Sequence, residues 1–79
     1  MTQEQIKLLS LDPYLFKTYV VLKYSANKDD KVLISINHLT RMLGFSRSKT
    51  IYCLKDLMNL GYLNKYRTSN HANIYEVLV

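Results

Sequence analysis

The distribution of apolar positions changes character several times along the chain. Thr2 to Leu11 carries Ile6, Leu8, Leu9 and Leu11 behind a Thr2-x-x-Gln5 capping pattern, so residues 1–11 read as a short helix or an apolar arm. Asp12-Pro13 then marks a helix start, because Asp caps well and Pro at the first helical position lacks only an N–H that has no intrahelical partner. The helix should run from Pro13 to about Ser25. Its apolar residues (Tyr14, Leu15, Phe16, Tyr19, Val20, Val21, Leu22, Tyr24) cover far more than the roughly 100° stripe a surface helix buries. Such a helix is expected to meet its own core on one side and a further surface on the other.

The polar turn Ala26 to Lys31 leads into the β-branched run Val32-Leu33-Ile34, a brief strand. Ser35 offers an N-cap oxygen to a two-turn helix with apolar residues at 36, 39, 42 and 43, ended by Gly44. Ser46 is a second N-cap, opening a longer helix that reaches Leu60 and is closed by Gly61. Residues 35–60 therefore form two helices joined by a short glycine-containing turn, the helix-turn-helix pattern. In the second helix Thr50, Cys53, Leu54, Leu57 and Leu60 fall on one face, predicted to be buried. Arg47, Ser48, Lys49, Tyr52, Lys55 and Asp56 fall largely opposite, while Ile51 and Met58 lie on a flank. After Gly61 the period switches to two: Tyr62–Thr68 and Asn73–Val79 read as strands around the turn-prone Ser69-Asn70-His71-Ala72, a hairpin over 62–79. Alternation points Leu63, Tyr75 and Val77 at the core, and Lys65, Arg67 and the tip at solvent.

Charge adds direction to this layout. The 79 residues hold eleven Lys+Arg and six Asp+Glu, a formal net charge of +5, with a pI near 9.4. Arg41, Arg47, Lys49, Lys55, Lys65 and Arg67 face only Asp56 within residues 41–67, so that stretch alone carries +5. Elsewhere the charges cancel. A basic helix start can set Arg against base edges while its free N–H groups meet phosphate, so Ser46, Arg47, Ser48, Lys49, Tyr52 and Lys55 are candidate DNA contacts. Lys65, Arg67, Asn70 and His71 would follow the backbone or enter the minor groove from the hairpin, and Arg41 would meet phosphate.

The segment SINHLTRMLGFSRSKTIYCLKDLMNLGYL resembles the winged helix-turn-helix of bacterial regulators, through Leu39, Leu43, Gly44, Phe45, Ser46, Leu54, Leu57, Gly61, Tyr62 and Leu63. With its flanks the resemblance covers about residues 13 to 79, and it is similar to MarR-like and GntR-like regulators and to the winged-helix modules of plasmid and phage replication proteins. It implies an α+β, mainly α fold: a single domain over 1–79 with a three-helix core and a C-terminal β-hairpin wing. The function it implies is sequence-specific binding of double-stranded DNA by a small transcriptional regulator, with a replication-initiator or excision-factor module as the alternative. Winged helices that dock proteins form a different class with the same fold. Three positions depart from the family pattern: Thr40 stands where Ala is usual, Thr50 where an aliphatic residue is usual, and His38 where an acidic residue often completes the capping box of the first motif helix. Each hydroxyl then needs a partner, such as the i−4 carbonyl.

Other chemistry finds little footing. His38, His71 and Cys53 are too few for a structural zinc site, and no nucleophile–base pair, phosphate loop or paired carboxylates are present, so neither catalysis nor a cofactor is expected. Cys53 fits a small buried hydrophobe better than a redox sensor. The seven tyrosines fit core and interface positions better than a single-strand stacking platform. Without a membrane-spanning run or a basic leader, a cytoplasmic protein is expected. Lys, Asn, Ile and Tyr are abundant, as in the AT-rich genomes of many bacteria, plasmids and phages. Pairing of half-sites favours a homodimer, with Ile6, Leu9, Tyr14 and Val21 as the candidate interface. No small-molecule effector is expected in so short a chain.

Overall fold

The computed structural model describes residues 12–67 and 72–78, a small α+β domain of three helices and a three-stranded antiparallel sheet. The apolar arm expected at 1–11, with Ile6 and Leu9, and the hairpin-tip residues Asn70 and His71 lie outside the described residues. In chain order the elements are α1 (Pro13–Ser25), β1 (Lys31–Ile34), α2 (Ile36–Leu43), α3 (Arg47–Asn59), β2 (Leu63–Arg67) and β3 (Asn73–Val77).

Each helix begins at the residue whose side chain can satisfy a free N–H. Asp12 Oδ1 accepts from the Tyr14 amide at 2.8 Å, Ser35 Oγ from the His38 amide at 3.1 Å, and Ser46 Oγ from the Lys49 amide at 3.1 Å. α1 ends at Ala26, whose amide donates to the Lys23 carbonyl, while α2 and α3 are closed by glycine. Gly44, at φ 72°, donates to the Thr40 carbonyl and turns the chain out of α2. After α3 the Gly61 amide reaches the Met58 carbonyl and the Tyr62 amide reaches the Leu57 carbonyl, with Gly61 at φ 86°, which is a Schellman closure.

That closure explains one departure from the sequence pattern. Leu60, expected on the buried face of α3, is 51% exposed. Ten residues at about 100° each carry it some 80° away from the direction of Thr50, and the chain leaves the helix there before any neighbour covers it. Thr50, Cys53, Leu54 and Leu57 are buried as the phasing predicts. Met58 packs against the core from the flank.

The strand order is β1-β3-β2, so β3 lies in the middle and pairs with both others. Val32 sits opposite Tyr75 and Tyr75 opposite Lys65, while Leu33, Ile74 and Tyr66 line up across the other face. One face closes the core with Val32, Ile34, Leu63, Tyr75 and Val77. Against it pack Leu15, Tyr19 and Leu22 of α1, Leu39 and Leu43 of α2, and Cys53, Leu54 and Leu57 of α3. Each such side chain, once fully buried, contributes about 1.5–3 kcal/mol of transfer free energy. The opposite sheet face leaves Leu33 and Tyr66 exposed, with the Tyr66 hydroxyl donating to Glu76 Oε1 at 3.0 Å.

Candidate nucleic-acid interface

The turn between α2 and α3 is held from α1. The Lys17 ammonium donates to the Leu43 carbonyl at 2.9 Å, satisfying one of the open C=O groups at the end of α2, and sits 5.4 Å from the Phe45 ring centroid. Phe45 meets Tyr14 edge to face, with centroids 5.5 Å apart and planes at 72°. Inside the turn, Thr40 Oγ1 donates to Thr50 Oγ1 at 2.9 Å and Thr50 Oγ1 donates to the Ser46 carbonyl at 3.0 Å. The two hydroxyls that depart from the family pattern thus answer each other, and Thr50 also takes the i−4 carbonyl. The start of α3 is fixed against both earlier helices by these contacts.

From that start α3 presents Arg47, Ser48, Tyr52 and Lys55 to solvent, with Tyr52 60% exposed. Ser46 is exposed too, its oxygen engaged in the cap. Lys49 is half-buried: its ammonium lies 3.9 Å from the Tyr14 ring centroid and 5.9 Å from that of Tyr52. Arg47 turns the other way and donates from Nη1 to Asn37 Oδ1 in the first turn of α2. Arg41 is exposed in the last turn of α2. Lys65 is exposed on β2 as expected, but alternation does not separate it from Leu63: two residues apart, both lie on the helix-facing side of the sheet. Arg67 ends β2, and its side chain is not among those described.

The candidate subunit contact divides in two. Val21 is half-buried against the core, and the Tyr14 ring is met within the chain by Lys49 and Phe45 while staying 49% exposed. The open apolar surface of α1 also includes Val20 at 42% and Tyr24 at 91%.

Asp12, Tyr14, Leu15, Lys49, Tyr52, Cys53 and Asp56 line a shallow cleft of about 260 Å³ beside the start of α1. That volume falls just below the roughly 300–1,000 Å³ usual for small-molecule pockets. At its floor, burial pushes the Cys53 thiol above its ordinary pKa, against the opposing hydrogen bond with Thr18 and the charge of Lys49. The thiol therefore stays protonated at neutral pH. Among the described residues no three His, Cys, Asp or Glu side chains come together as a metal site, and no helix is long and apolar enough to cross a membrane.

The exposed basic residues Arg41, Arg47, Lys55 and Lys65 follow from the sequence, but two residues that organise this surface do not. Asn37, the partner of Arg47, sits ten positions away across the turn, beyond the reach of any helical period. Lys17 lies on α1, where its charge is cancelled locally in the sequence and gives no sign of the Leu43 contact. Compared with known protein families, curated proteins and solved structures, the chain matches none.

Proposed function

We propose that the domain is a winged helix-turn-helix that binds double-stranded DNA sequence-specifically, as a small transcriptional regulator. One observation carries this reading: the exposed face of α3 bears Arg47, Ser48, Tyr52 and Lys55, in a chain whose whole net charge of +5 falls within residues 41–67. The α2–α3 pair supports it, since a helix fixed by its cap and its neighbours can lie in the major groove with its N-terminal turn at the base edges. In this reading α3 is the recognition helix, the β2–β3 hairpin is the wing carrying Lys65, and Arg41 meets the backbone.

One helix and one wing cover little DNA, so the active species is a homodimer reading two half-sites. Exposed Val20 and Tyr24 extend the apolar surface available for that contact. Selection of sites from random duplexes, followed by footprinting, tests the reading: paired half-sites recovered by the wild type and lost with Arg47→Ala plus Lys49→Ala support it. An unchanged selection with the double variant overturns it.

A protein-docking module is the second reading, favoured by the exposed row of Leu33 and Tyr66 on the outer sheet face. Its signature in the same experiment is the absence of any selected duplex.

A further inference from the structure

Arg47 and Lys49 stand two residues apart in α3, about 200° around the helix, so they cannot face the same groove edge together. Their partners make the separation definite. Arg47 is tied to Asn37 of α2, and Lys49 lies over the Tyr14 ring of α1 at 3.9 Å. The two cations are thus drawn to opposite flanks of the helix start.

Their chemistry differs in the same sense. A guanidinium has five N–H donors in a rigid plane, and one bond to Asn37 leaves an edge with two parallel donors. That edge matches the O6 and N7 acceptors of guanine in the major groove. Holding the plane in advance removes side-chain freedom that binding would otherwise have to remove. An ammonium on an aromatic face is a point charge without such a fork, suited to a phosphate oxygen.

We infer that Asn37 is a positioning residue for specificity, aiming Arg47 at the major-groove edge of a guanine, while Lys49 on its Tyr14 seat contacts phosphate. This rests on the DNA-binding reading above and divides that surface into a reader and an anchor. Asn37 is exposed, and Ala is a better helix former, so its replacement removes the contact without removing core packing.

The test uses the duplex selected by the wild type and derivatives in which each guanine in turn becomes adenine, which keeps N7 but replaces the O6 acceptor with a donor. Asn37→Ala is expected to lower the guanine preference at one position about tenfold, with affinity for a random duplex and its salt slope unchanged. Asn37→Asp retains an acceptor for Arg47 and is expected to keep that preference while weakening binding to every duplex through its added negative charge. Lys49→Ala should weaken all sequences alike and flatten the salt slope by about one. A guanine preference untouched by Asn37→Ala, or an equal loss on every sequence, overturns the positioning role while leaving DNA binding intact. A wild type that binds duplexes without any guanine preference overturns it in the same way. Failure of the wild type to bind duplex DNA overturns both readings together.

Discussion

Thr40 Oγ1 donates to Thr50 Oγ1 at 2.9 Å, joining α2 to α3 through a side chain that has no exposed surface. The Thr50 hydroxyl in turn donates a hydrogen bond to the Ser46 carbonyl, so the pair is ordered in one direction. Thr50→Val removes both the donor and the acceptor while keeping the volume, and should cost about 1–2 kcal/mol. Thr40→Ala combined with Thr50→Val removes both partners and should cost less than the sum of the two single changes. Denaturant unfolding of the four proteins in the cycle measures the coupling; strict additivity would show that the contact does not contribute.

Gly44 tests the backbone apart from packing. A Cβ added there would meet nothing within 4 Å, yet the residue holds φ at +72°. Gly44→Ala should therefore destabilise the domain by about 1 kcal/mol through left-handed strain alone. Gly44→Asn should cost less, because Asn tolerates that conformation better. Equal melting temperatures for wild type and Gly44→Ala would contradict this.

Leu57 is fully buried where α3 meets the rest of the core, and its carbonyl also closes the Schellman turn. Leu57→Ala should cost about 2–5 kcal/mol, against a total stability of about 4–12 kcal/mol for a chain of this size. A lowered urea midpoint, followed by circular dichroism, is the expected observation. Leu60→Ala, three residues on and half exposed, should cost less than about 1 kcal/mol.

Alkaline pH should weaken the fold in two stages. Burial raises the pKa of Cys53, Tyr19 and Tyr75, so the folded state favours their neutral forms. For such groups the contribution is complete below the unfolded pKa and disappears as pH rises through the folded one. Loss should therefore begin above about pH 8.5 for the thiol and above about pH 10 for the phenols. Urea midpoints from pH 7 to 11 should decline accordingly, and Cys53→Ala should lack the earlier stage. A midpoint that rises across this range would contradict the assignment.

The sequence made the helices legible because most of their boundaries are chemical: Asp12, Ser35 and Ser46 begin the three, and Gly44 and Gly61 end α2 and α3. The buried stripe of α3 followed from a 3.6-residue period and failed only at Leu60, where the helix itself ends. The partner of β1 was not legible, since pairing Val32 with Tyr75 spans more than half the chain and leaves no local pattern. The site divides in the same way. Exposure of Arg47, Ser48, Tyr52 and Lys55 follows from helical phase, whereas the opposite attachments of Arg47 to Asn37 and Lys49 to Tyr14 depend on how three helices meet. Tyr14 sits in an apolar helix, and nothing nearby in the chain announces its Lys49 and Phe45 contacts.

The salt dependence of duplex binding bears most directly on the account. Fluorescence anisotropy of a labelled duplex, titrated with the wild-type protein from about 50 to 200 mM salt, should give log affinity falling linearly with log salt, at about −0.9 per phosphate neutralised. Lys65→Ala should reduce that slope by about one. Absence of duplex binding at the lowest salt, or an affinity indifferent to salt, would contradict a basic face built to meet DNA.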